Sequence, residues 1–176
     1  MIYALTGTPG TGKTTVAKLL SEPGMKVISL HDLLQEGSLL QDYDEDFGSY
    51  DVDIDEAAEL MIPLLEDGET ILVEGHLSHL LPCDSIIVLR CNPFTIKERL
   101  ENRGYSSEKV YENMEAEALD VILVESIETS RPTFEVDGTS LDPEEVVQAV
   151  MSIIKGEGHK YLPGNVDWSE ELLRWC

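Results

Sequence analysis

The residues with the clearest chemistry form a glycine-rich stretch near the start of the chain, Gly7-Thr8-Pro9-Gly10-Thr11-Gly12-Lys13-Thr14-Thr15. This stretch matches G-x-x-x-x-G-K-[ST] and lies between a short apolar run and an amphipathic segment, which is the strand–loop–helix context of a phosphate-binding P-loop. The glycines let backbone N–H groups converge on a phosphate, and the helix N-terminus adds the positive end of its dipole. The residues expected to bind ATP are Gly10, Thr11, Gly12, Lys13, Thr14 and Thr15.

The last residues of this motif have distinct expected roles. Lys13 can reach the β- and γ-phosphates of a nucleoside triphosphate, so we predict that it is catalytic. We also expect its side chain to lie near the surface without nucleotide, so that folding does not need it. The hydroxyl of Thr14 can bind Mg²⁺, which makes Thr14 a predicted metal ligand.

A carboxylate and a histidine follow a second apolar run. Ile71-Leu72-Val73 leads into Glu74, and His76 comes two residues later. In P-loop proteins an acidic residue at a strand end completes the Mg²⁺ site directly or through water, so Glu74 is the second predicted metal ligand. A solvated Glu is the alternative. His76 can hydrogen-bond a metal-bound water, a phosphate or the acceptor and is predicted to be catalytic. A structural histidine is the alternative there.

Three arginines are further candidates for contacting phosphate, because the chain holds only 12 Lys and Arg residues. Arg99 and Arg103 are four residues apart near a predicted helix end and therefore share a face. Arg103 precedes Gly104 at a flexible junction, which favours a lid residue that neutralises the transferred phosphoryl group. Arg99 fits a helix cap. Arg90 is expected to bind the acceptor phosphate, since the preceding stretch offers only Lys26 as another basic residue.

Strand-like apolar runs alternate with helical patterns along the chain, and several runs are continuous Val, Ile and Leu, as in strands buried on both faces. The predicted strands are Ile2–Thr6, Lys26–Leu30, Thr70–Glu74, Ser85–Arg90 and Thr133–Val136. The predicted helices are Thr14–Leu20, Ile54–Leu65, Pro93–Asn102, Glu108–Glu128 and Pro143–Lys155. This alternation predicts one α/β domain over residues 1–176, with a five-stranded parallel sheet and helices on both faces.

Cap residues define some helix boundaries in advance. Asn92 before Pro93 predicts the start of a helix that Gly104 ends. Asp142, with Glu145 three residues later, predicts a capping box at the start of another helix.

The net charge of −23, from 35 acidic and 12 basic residues, is the unusual feature of the composition. General nucleic-acid binding is not expected, because this surface repels phosphate backbones. The acidity fits a solvated surface, a high-salt cytosol or a basic protein partner. No apolar run reaches the length of about 18 residues that a membrane span needs, so no membrane association is expected. Three cysteines without metal-binding spacing suggest reduced thiols and a cytoplasmic protein.

Together these motifs resemble the atypical adenylate kinases of the eukaryotic nucleus and their archaeal relatives, a family also tied to small ribosomal subunit maturation. The resemblance covers residues 1 to about 125. The segments that carry it are Leu5–Thr15, Asp42–Glu45, Val73–His76, Val88–Arg90 and Arg99–Tyr105. It implies the nucleoside-monophosphate-kinase version of the P-loop NTPase fold and transfer of the γ-phosphate of ATP to AMP with Mg²⁺.

The resemblance also implies where the two nucleotides bind. Residues around 29–52 would form the region that binds the nucleoside monophosphate, with Asp32, Asp44 and Arg90 as its site residues. An Arg that is common in the family after the Asp-Leu pair of this region is absent here, which puts the affinity for AMP in question.

The lid and the catalytic residues follow from the same resemblance. Residues around 102–112 would form a short lid whose Arg103 contacts ATP. Glu74 and His76 would serve the metal and catalysis, although the family usually has Asp where this chain has Glu74.

The resemblance also implies a protein partner, for which the tail of the chain is relevant. The family implies binding to a basic small-subunit ribosomal protein of the S11 type. The tail, residues 157–176, holds both tryptophans, Trp168 and Trp175. They could anchor such a partner, or they could fold back onto the core.

Four functions remain open at this point. The leading one is an adenylate kinase, with possible ATPase activity. An ATP-dependent assembly factor that switches a ribosomal-protein complex is the second, and both can hold in one protein. A GTPase is disfavoured because no N-K-x-D segment for guanine occurs. A small-metabolite kinase is the fourth, because the acceptor pocket is the part that is hardest to read from sequence.

Overall fold

The computed structural model describes residues 1–21, 25–37, 43–44, 49–50, 52–65 and 68–175, and residues 43–44 and 49–50 by their backbone alone. The strands are β1 Ile2–Thr6, β2 Lys26–Ser29, β3 Tyr43–Asp44, β4 Ser49–Tyr50, β5 Ile71–Glu74, β6 Ser85–Arg90 and β7 Thr133–Asp137. The α-helices are α1 Lys13–Ser21, α2 Leu30–Glu36, α3 Ile54–Met61, α4 Pro93–Asn102, α5 Ser107–Ala118, α6 Val121–Glu128, α7 Pro143–Ile154 and α8 Ser169–Leu173. Short 3₁₀ helices cover Ile62–Leu64, Ser78–Leu80 and Gly158–Lys160.

As predicted, five strands form one parallel sheet. Their order is β2-β5-β1-β6-β7, and β3 pairs with β4 in a separate antiparallel ribbon. The central strand is β1, in which Leu5 lies opposite Glu74 of β5 and Ile87 of β6. Because parallel strands end at the same edge, the loop after β1 and the last residues of β5 and β6 meet there. That edge is where open α/β sheets bind their ligands.

Helices cover both faces of the sheet, which confirms the predicted architecture. On one face α1 and α7 pack on alternate residues of the central strands, with Leu5, Leu72 and Leu89 among the buried side chains. On the other face α2 and α3 cover β2 and β5, and α6 covers β1 and β6. Strands β5 and β6 are buried along their whole length, which explains their continuous apolar sequences. Within the described ranges, no helix has the length and apolar character needed to cross a membrane.

One predicted helix is divided in two. The prediction of a continuous helix over Glu108–Glu128 is wrong, because α5 ends at Ala118 and α6 starts at Val121. Between them Asp120 adopts a φ of 57°, in the left-handed region, which a helix cannot continue through. The turn places the Asp120 carboxylate against the guanidinium of Arg90. Helix propensity over this stretch is therefore overridden by a tertiary ion pair.

Two other boundaries differ from the predictions for a reason that the structure shows. The strand predicted to reach Leu30 ends one residue earlier, because the hydroxyl of Ser29 accepts a hydrogen bond from the N–H of Asp32 and caps α2. Helix α2 is not among the helices that the sequence predicts. The helix predicted over Ile54–Leu65 is α-helical only to Met61 and continues as a 3₁₀ turn that contains Pro63, whose nitrogen has no hydrogen to donate.

The predicted caps are confirmed. Asn92 accepts a hydrogen bond from the N–H of Phe94 at 2.9 Å at the start of α4. Asp142 and Glu145 exchange reciprocal bonds of 2.8 and 2.9 Å and form a capping box. Gly104, with a φ of +80°, follows the end of α4.

The tail folds back onto the domain. Trp168 is only 8% exposed. The ring of Trp175 packs edge-on against Tyr111 of α5, with centroids 4.8 Å apart. Of the two possibilities that the sequence left open for these tryptophans, the structure shows packing against the core.

Candidate active site

The P-loop between β1 and α1 is held tightly against the sheet. Gly7 has a φ of +140°, and a Cβ at this position would lie 2.4 Å from the carbonyl oxygen of Leu89, so no other residue fits. Inside the loop, the N–H and the hydroxyl of Thr11 both donate to the carbonyl of Thr8, at 3.2 and 2.9 Å. Helix α1 begins directly after Gly12. The residues predicted to bind ATP therefore lie together at the carboxyl edge of the sheet, and their role in binding stays a prediction.

Lys13 is buried, which corrects the expectation of a side chain near the surface. Only 7% of the residue is exposed, and its ammonium donates to the carbonyls of Gly7 at 2.7 Å and Thr8 at 3.1 Å. These loop carbonyls take the place of water. Burial lowers the pKa of Lys13 to about 8, although nearby carboxylates oppose the shift. The ammonium is therefore poised on the loop, and phosphate oxygens are its natural alternative partners.

The two predicted metal ligands are in contact. The hydroxyl of Thr14, in the first turn of α1, donates to Oε1 of Glu74 at 3.2 Å. Hydroxyl and carboxylate oxygens are hard ligands of the kind that Mg²⁺ prefers. In the part of the chain that the structure describes, no group of three or more His, Cys, Asp and Glu residues is arranged to hold a metal. The site thus fits a metal that takes two protein oxygens and draws its other ligands from phosphate and water.

His76 lies exposed just past Glu74, and its electrostatic surroundings are positive. Its pKa is lowered to about 4, mainly because neighbouring atoms displace water around the ring and next because of the charge of Lys13. Lys109 and His31 add to the same effect. His76 is therefore neutral at pH 7. It can donate one hydrogen bond and accept another, but it carries no charge to give a phosphate.

Arg103 lies exposed where α4 ends, on the segment 103–106 that joins α4 to α5. Its charge adds to the lowering of the pKa of Lys13 that burial causes. The region around Lys13, Glu74 and Arg103 is called the cleft. Of the lid predicted over residues 102–112, only this short segment is irregular, because α5 starts at Ser107.

Arg99 has a different role from the helix cap that the sequence suggested. Its Nη1 donates to the carbonyl of Gly10 at 2.9 Å and lies 3.5 Å from the sulfur of Cys91. It therefore ties α4 to the P-loop. Through this hydrogen bond to the loop backbone, the half-buried Arg99 supports the shape of the P-loop.

Arg90 lies in the interior, and its predicted contact with the acceptor phosphate does not fit this position. It is 1% exposed. Its Nε donates to Glu117 at 2.8 Å, its Nη1 to Glu135 at 3.2 Å, and its Nη2 pairs with Asp120. A phosphate would have to displace carboxylates that already surround the guanidinium, so the structure separates Arg90 from the cations of the cleft.

Of the other two residues predicted for the acceptor, the structure describes one with its side chain. Asp32 is exposed in the first turn of α2. This helix starts close to the strand-end residues, since a Cβ on Gly75 would lie 2.8 Å from Cβ of Leu30. Asp44 belongs to β3 by its backbone, and its side chain lies outside the described residues, as do residues 38–42, 45–48 and 51 of the predicted region 29–52.

Glu117 is the functional candidate that the sequence reasoning missed. It is 3% exposed, and its carboxylate accepts hydrogen bonds from the hydroxyl of Thr8 at 2.6 Å and the indole N–H of Trp168 at 3.2 Å. A signal existed in the sequence. Glu117 continues the helical stripe of Val110 and Met114, which are buried, and a carboxylate in such a stripe needs partners.

The chain is similar to known proteins along nearly its whole length. A family model described as an AAA domain matches residues 4–120. A protein of Archaeoglobus fulgidus named "Putative adenylate kinase" is 47% identical over 175 residues, which cover 98% of this chain and 94% of the relative. A protein of the same name from Methanocaldococcus jannaschii is 45% identical over 174 residues, which cover 98% of this chain and 96% of the relative.

Among solved structures, the shikimate kinase of Acinetobacter baumannii in complex with shikimate is similar with a TM-score of 0.62. The match covers 90% of this chain and 94% of that chain at 12% sequence identity. At this identity the likeness shows the fold alone. The predicted P-loop kinase fold is thereby confirmed.

Proposed function

The chain belongs to the family of archaeal proteins named "Putative adenylate kinase", and we propose that it transfers the γ-phosphate of ATP to AMP, with Mg²⁺, to give two ADP. The observation that carries this proposal is the contact between Thr14 and Glu74 beside Lys13 at one edge of the sheet. A P-loop lysine, a threonine hydroxyl and an acidic residue are the parts that hold the phosphates and the metal in P-loop enzymes. AMP as the acceptor rests on the name of the relatives.

When ATP binds, its phosphates take the place of the loop carbonyls that the ammonium of Lys13 contacts without nucleotide. The ammonium of Lys13 exchanges the carbonyls of Gly7 and Thr8 for phosphate oxygens, and the negative charge of the phosphates raises its pKa again. Mg²⁺, bound by Thr14 and directly or through water by Glu74, would neutralise charge on the β- and γ-phosphates.

In the transfer itself, an oxygen of the acceptor phosphate attacks the γ-phosphorus while the bond to the bridging oxygen breaks and ADP leaves. No covalent bond to the protein is needed, so the protein contributes position and charge. Arg103 is proposed to close over the site and neutralise the transferred group. His76, being neutral, is proposed to orient the reacting oxygens by hydrogen bonds.

On the acceptor side, the buried position of Arg90 leaves other groups to meet the phosphate of AMP. His31 and Lys109 are proposed for this role, because both contribute to lowering the pKa of His76 and therefore lie near it. Asp32 and Asp44 are carboxylates, which repel phosphate, so we propose that they bind hydroxyl or amino groups of the nucleoside.

An acceptor screen tests the proposal. ATP consumption and ADP formation are followed with Mg²⁺ and with AMP, CMP, UMP, GMP, shikimate or no acceptor. We expect AMP to give the fastest reaction and two ADP per ATP consumed. If ADP forms at one rate with or without monophosphates, the protein is an ATPase. A hydroxyl acceptor that outpaces AMP would make the protein a small-metabolite kinase.

A role in small-subunit maturation, with a basic S11-type partner, remains a separate proposal from the family resemblance. The tryptophans cannot serve as exposed anchors in the described conformation, because Trp168 is buried and Trp175 packs on Tyr111. What supports a basic partner is the net charge of −23. Binding of such a protein should weaken as salt rises, and binding that is absent at low salt overturns this role.

A further inference from the structure

Glu117 is the point where three distant parts of the chain meet inside the domain. Its Oε2 accepts the hydroxyl hydrogen of Thr8 in the P-loop at 2.6 Å. Its Oε1 accepts hydrogen bonds from Nε of Arg90 at 2.8 Å, from the N–H of Cys91 at 3.2 Å and from the indole of Trp168 at 3.2 Å. One carboxylate thus touches the P-loop, the end of β6 and the tail.

The charge balance of this cluster explains why these donors matter. Arg90, Glu117 and Glu135 are all at most 3% exposed, so one buried cation faces two buried carboxylates. The third partner of the arginine, Asp120, has a side chain that is 40% exposed and is solvated in part. Excess buried negative charge is costly unless N–H and O–H groups surround it. Among the described residues, no buried side-chain nitrogen or oxygen lacks a partner, and Thr8 and Trp168 supply part of that pairing.

The contact with Thr8 fixes the part of the P-loop that carries the lysine. Through its carbonyl, Thr8 accepts hydrogen bonds from the N–H and hydroxyl of Thr11 and from the ammonium of Lys13. Through its hydroxyl it donates to Glu117. A single residue therefore connects the carboxylate of α5 to the resting place of the catalytic ammonium.

The tail reaches the same cluster from the other side. Glu135 accepts hydrogen bonds from the backbone N–H groups of Asn165 and Val166. Two residues after Val166, Trp168, which is 8% exposed, places its indole on Glu117. The tail is thus fixed by backbone and side chain to the carboxylates that neutralise Arg90.

We propose that Glu117 is a positioning residue that holds the P-loop through Thr8 and links it to the tail through Trp168, so that nucleotide binding changes the surroundings of Trp168. The inference rests on the proposed function, because it takes ATP as the ligand. When Lys13 moves from the Thr8 carbonyl to phosphate, Thr8 loses one of its donors. The hydrogen bond from its hydroxyl to Glu117 then readjusts, and the indole shares the same carboxylate.

The fluorescence of Trp168 tests the link. The two tryptophans are Trp168 and Trp175, so Trp175→Phe leaves Trp168 as the sole reporter. We expect a saturable change in emission as ATP and Mg²⁺ are added, with the same midpoint as calorimetric binding. In the double variant that also carries Thr8→Val, ATP still binds and the emission change is lost. An unchanged response in the double variant, or a silent Trp168 at saturating ATP, overturns the inference.

A matched pair of substitutions separates positioning from general stability. Thr8→Val removes the hydroxyl that Glu117 holds, whereas Thr133→Val removes a buried hydroxyl that bonds the carbonyls of Ser126 and Arg131. We expect Thr8→Val to weaken ATP binding about tenfold, the usual worth of a hydrogen bond to a charged group. Thr133→Val should bind ATP like the unchanged chain. Equal binding by both variants contradicts the positioning role.

The link between Glu117 and the tail is tested with Trp168→Phe, which keeps an aromatic ring and removes the indole N–H. We expect ATP binding about threefold weaker, since one of several donors to the carboxylate is lost. Glu117→Gln, which keeps the volume of the side chain, should raise the KM for ATP more than it lowers kcat. If the protein without substitutions binds ATP but the variants show none of these effects, the inference is wrong and the proposed function stands. If the protein without substitutions does not bind ATP, both are wrong.

Discussion

Two arginines, one on each side of α4, have opposite surroundings. Arg90 ends β6, is 1% exposed and is surrounded by the carboxylates of Glu117, Asp120 and Glu135. Arg103 follows α4, is exposed, and acts on Lys13 across the cleft. The difference shows that position relative to the sheet, and not residue type, decides which arginine is enclosed by carboxylates and which is open to solvent.

This contrast has an energetic reason. A cation that compensates buried carboxylates cannot leave them without exposing their charge to a low-dielectric interior. A cation at a helix end in solvent gives up only water when it meets a ligand. The interior cluster and the cleft therefore contain different arginines, although the chain has only 12 basic residues.

The largest effect is expected at Lys13, which is buried like Arg90 but donates to carbonyls of the P-loop. Lys13→Ala should lower kcat/KM for ATP about 10³-fold, because the charge stabilises the transition state. Stability should change little, since burial already disfavours this charge, as the lowered pKa shows. Lys18→Ala, on the exposed face of the same helix, is the control for activity and unfolding. Near-full activity in Lys13→Ala would contradict the P-loop assignment.

The next effect concerns stability and tests the interior side of the comparison. Arg90→Met should lower the free energy of unfolding by roughly 3–5 kcal/mol, because it leaves Glu117 and Glu135 buried without their cation. Urea denaturation gives the value. Arg103→Met, on the exposed side, should stay within about 0.5 kcal/mol of the parent. If Arg90→Met and Arg103→Met unfold at the same urea concentration, the ion pairs of Arg90 with Glu117 and Glu135 do not stabilise the fold.

Arg103→Ala tests the cleft side. We expect kcat to fall about 10- to 100-fold and the KM for ATP to rise less, because Arg103 is proposed to act on the charge that moves in the transition state. Steady-state kinetics with varied ATP separates the two parameters. The control is Lys97→Ala, an exposed cation on α4 that pairs with Glu101. A rise in KM alone would make Arg103 a residue for ground-state binding.

The pH profile distinguishes the buried cation from the neutral ring beside it. Because the pKa of Lys13 is lowered to about 8, its protonated form is lost above that pH, and kcat/KM for ATP should fall about tenfold per pH unit there. The decline in kcat should begin at higher pH, since bound phosphates favour the ammonium. His76, with a pKa of about 4, adds no step between pH 5 and 7. A break near pH 6 that His76→Gln removes would show that the ring titrates.

The smallest expected effect is at Glu74. Glu74→Gln should raise the Mg²⁺ concentration for half-maximal rate about fivefold, because the amide keeps the shape and loses the charge that holds a hydrated metal. The control is Glu69→Gln, which changes a glutamate two residues before β5 begins. Superimposable Mg²⁺ titrations would leave Glu74 with only its hydrogen bond to Thr14.

Local patterns made the arrangement of residues around the P-loop predictable, whereas their role in binding ATP stays a prediction. The P-loop, Glu74 and the caps at Asn92 and Asp142 depend on neighbours a few residues away, and the structure places them as the patterns indicate. Buried parallel strands likewise show themselves as continuous apolar runs.

The role of Arg90 was not predictable in this way. Its partners come 27, 30 and 45 residues later in the chain, and no local pattern links them. The break between α5 and α6 has the same cause, because Asp120 leaves helical geometry to reach that arginine. On the acceptor side, α2 was missed since its seven residues are too few for a clear helical period.

The hydrogen bond between Thr8 and Glu117 also bears on how the domain is made. Its partners are 109 residues apart, and the indole that completes the carboxylate comes another 51 residues later. During synthesis β1 and its glycine-rich loop emerge among the first residues, well before either partner. A nascent chain that has reached only β7 therefore carries the phosphate motif and the carboxylate, but Glu117 still lacks one of its donors. Nucleotide added at that stage would meet a loop that is less firmly held, so translation arrest before and after Trp168 should separate weak from full ATP retention.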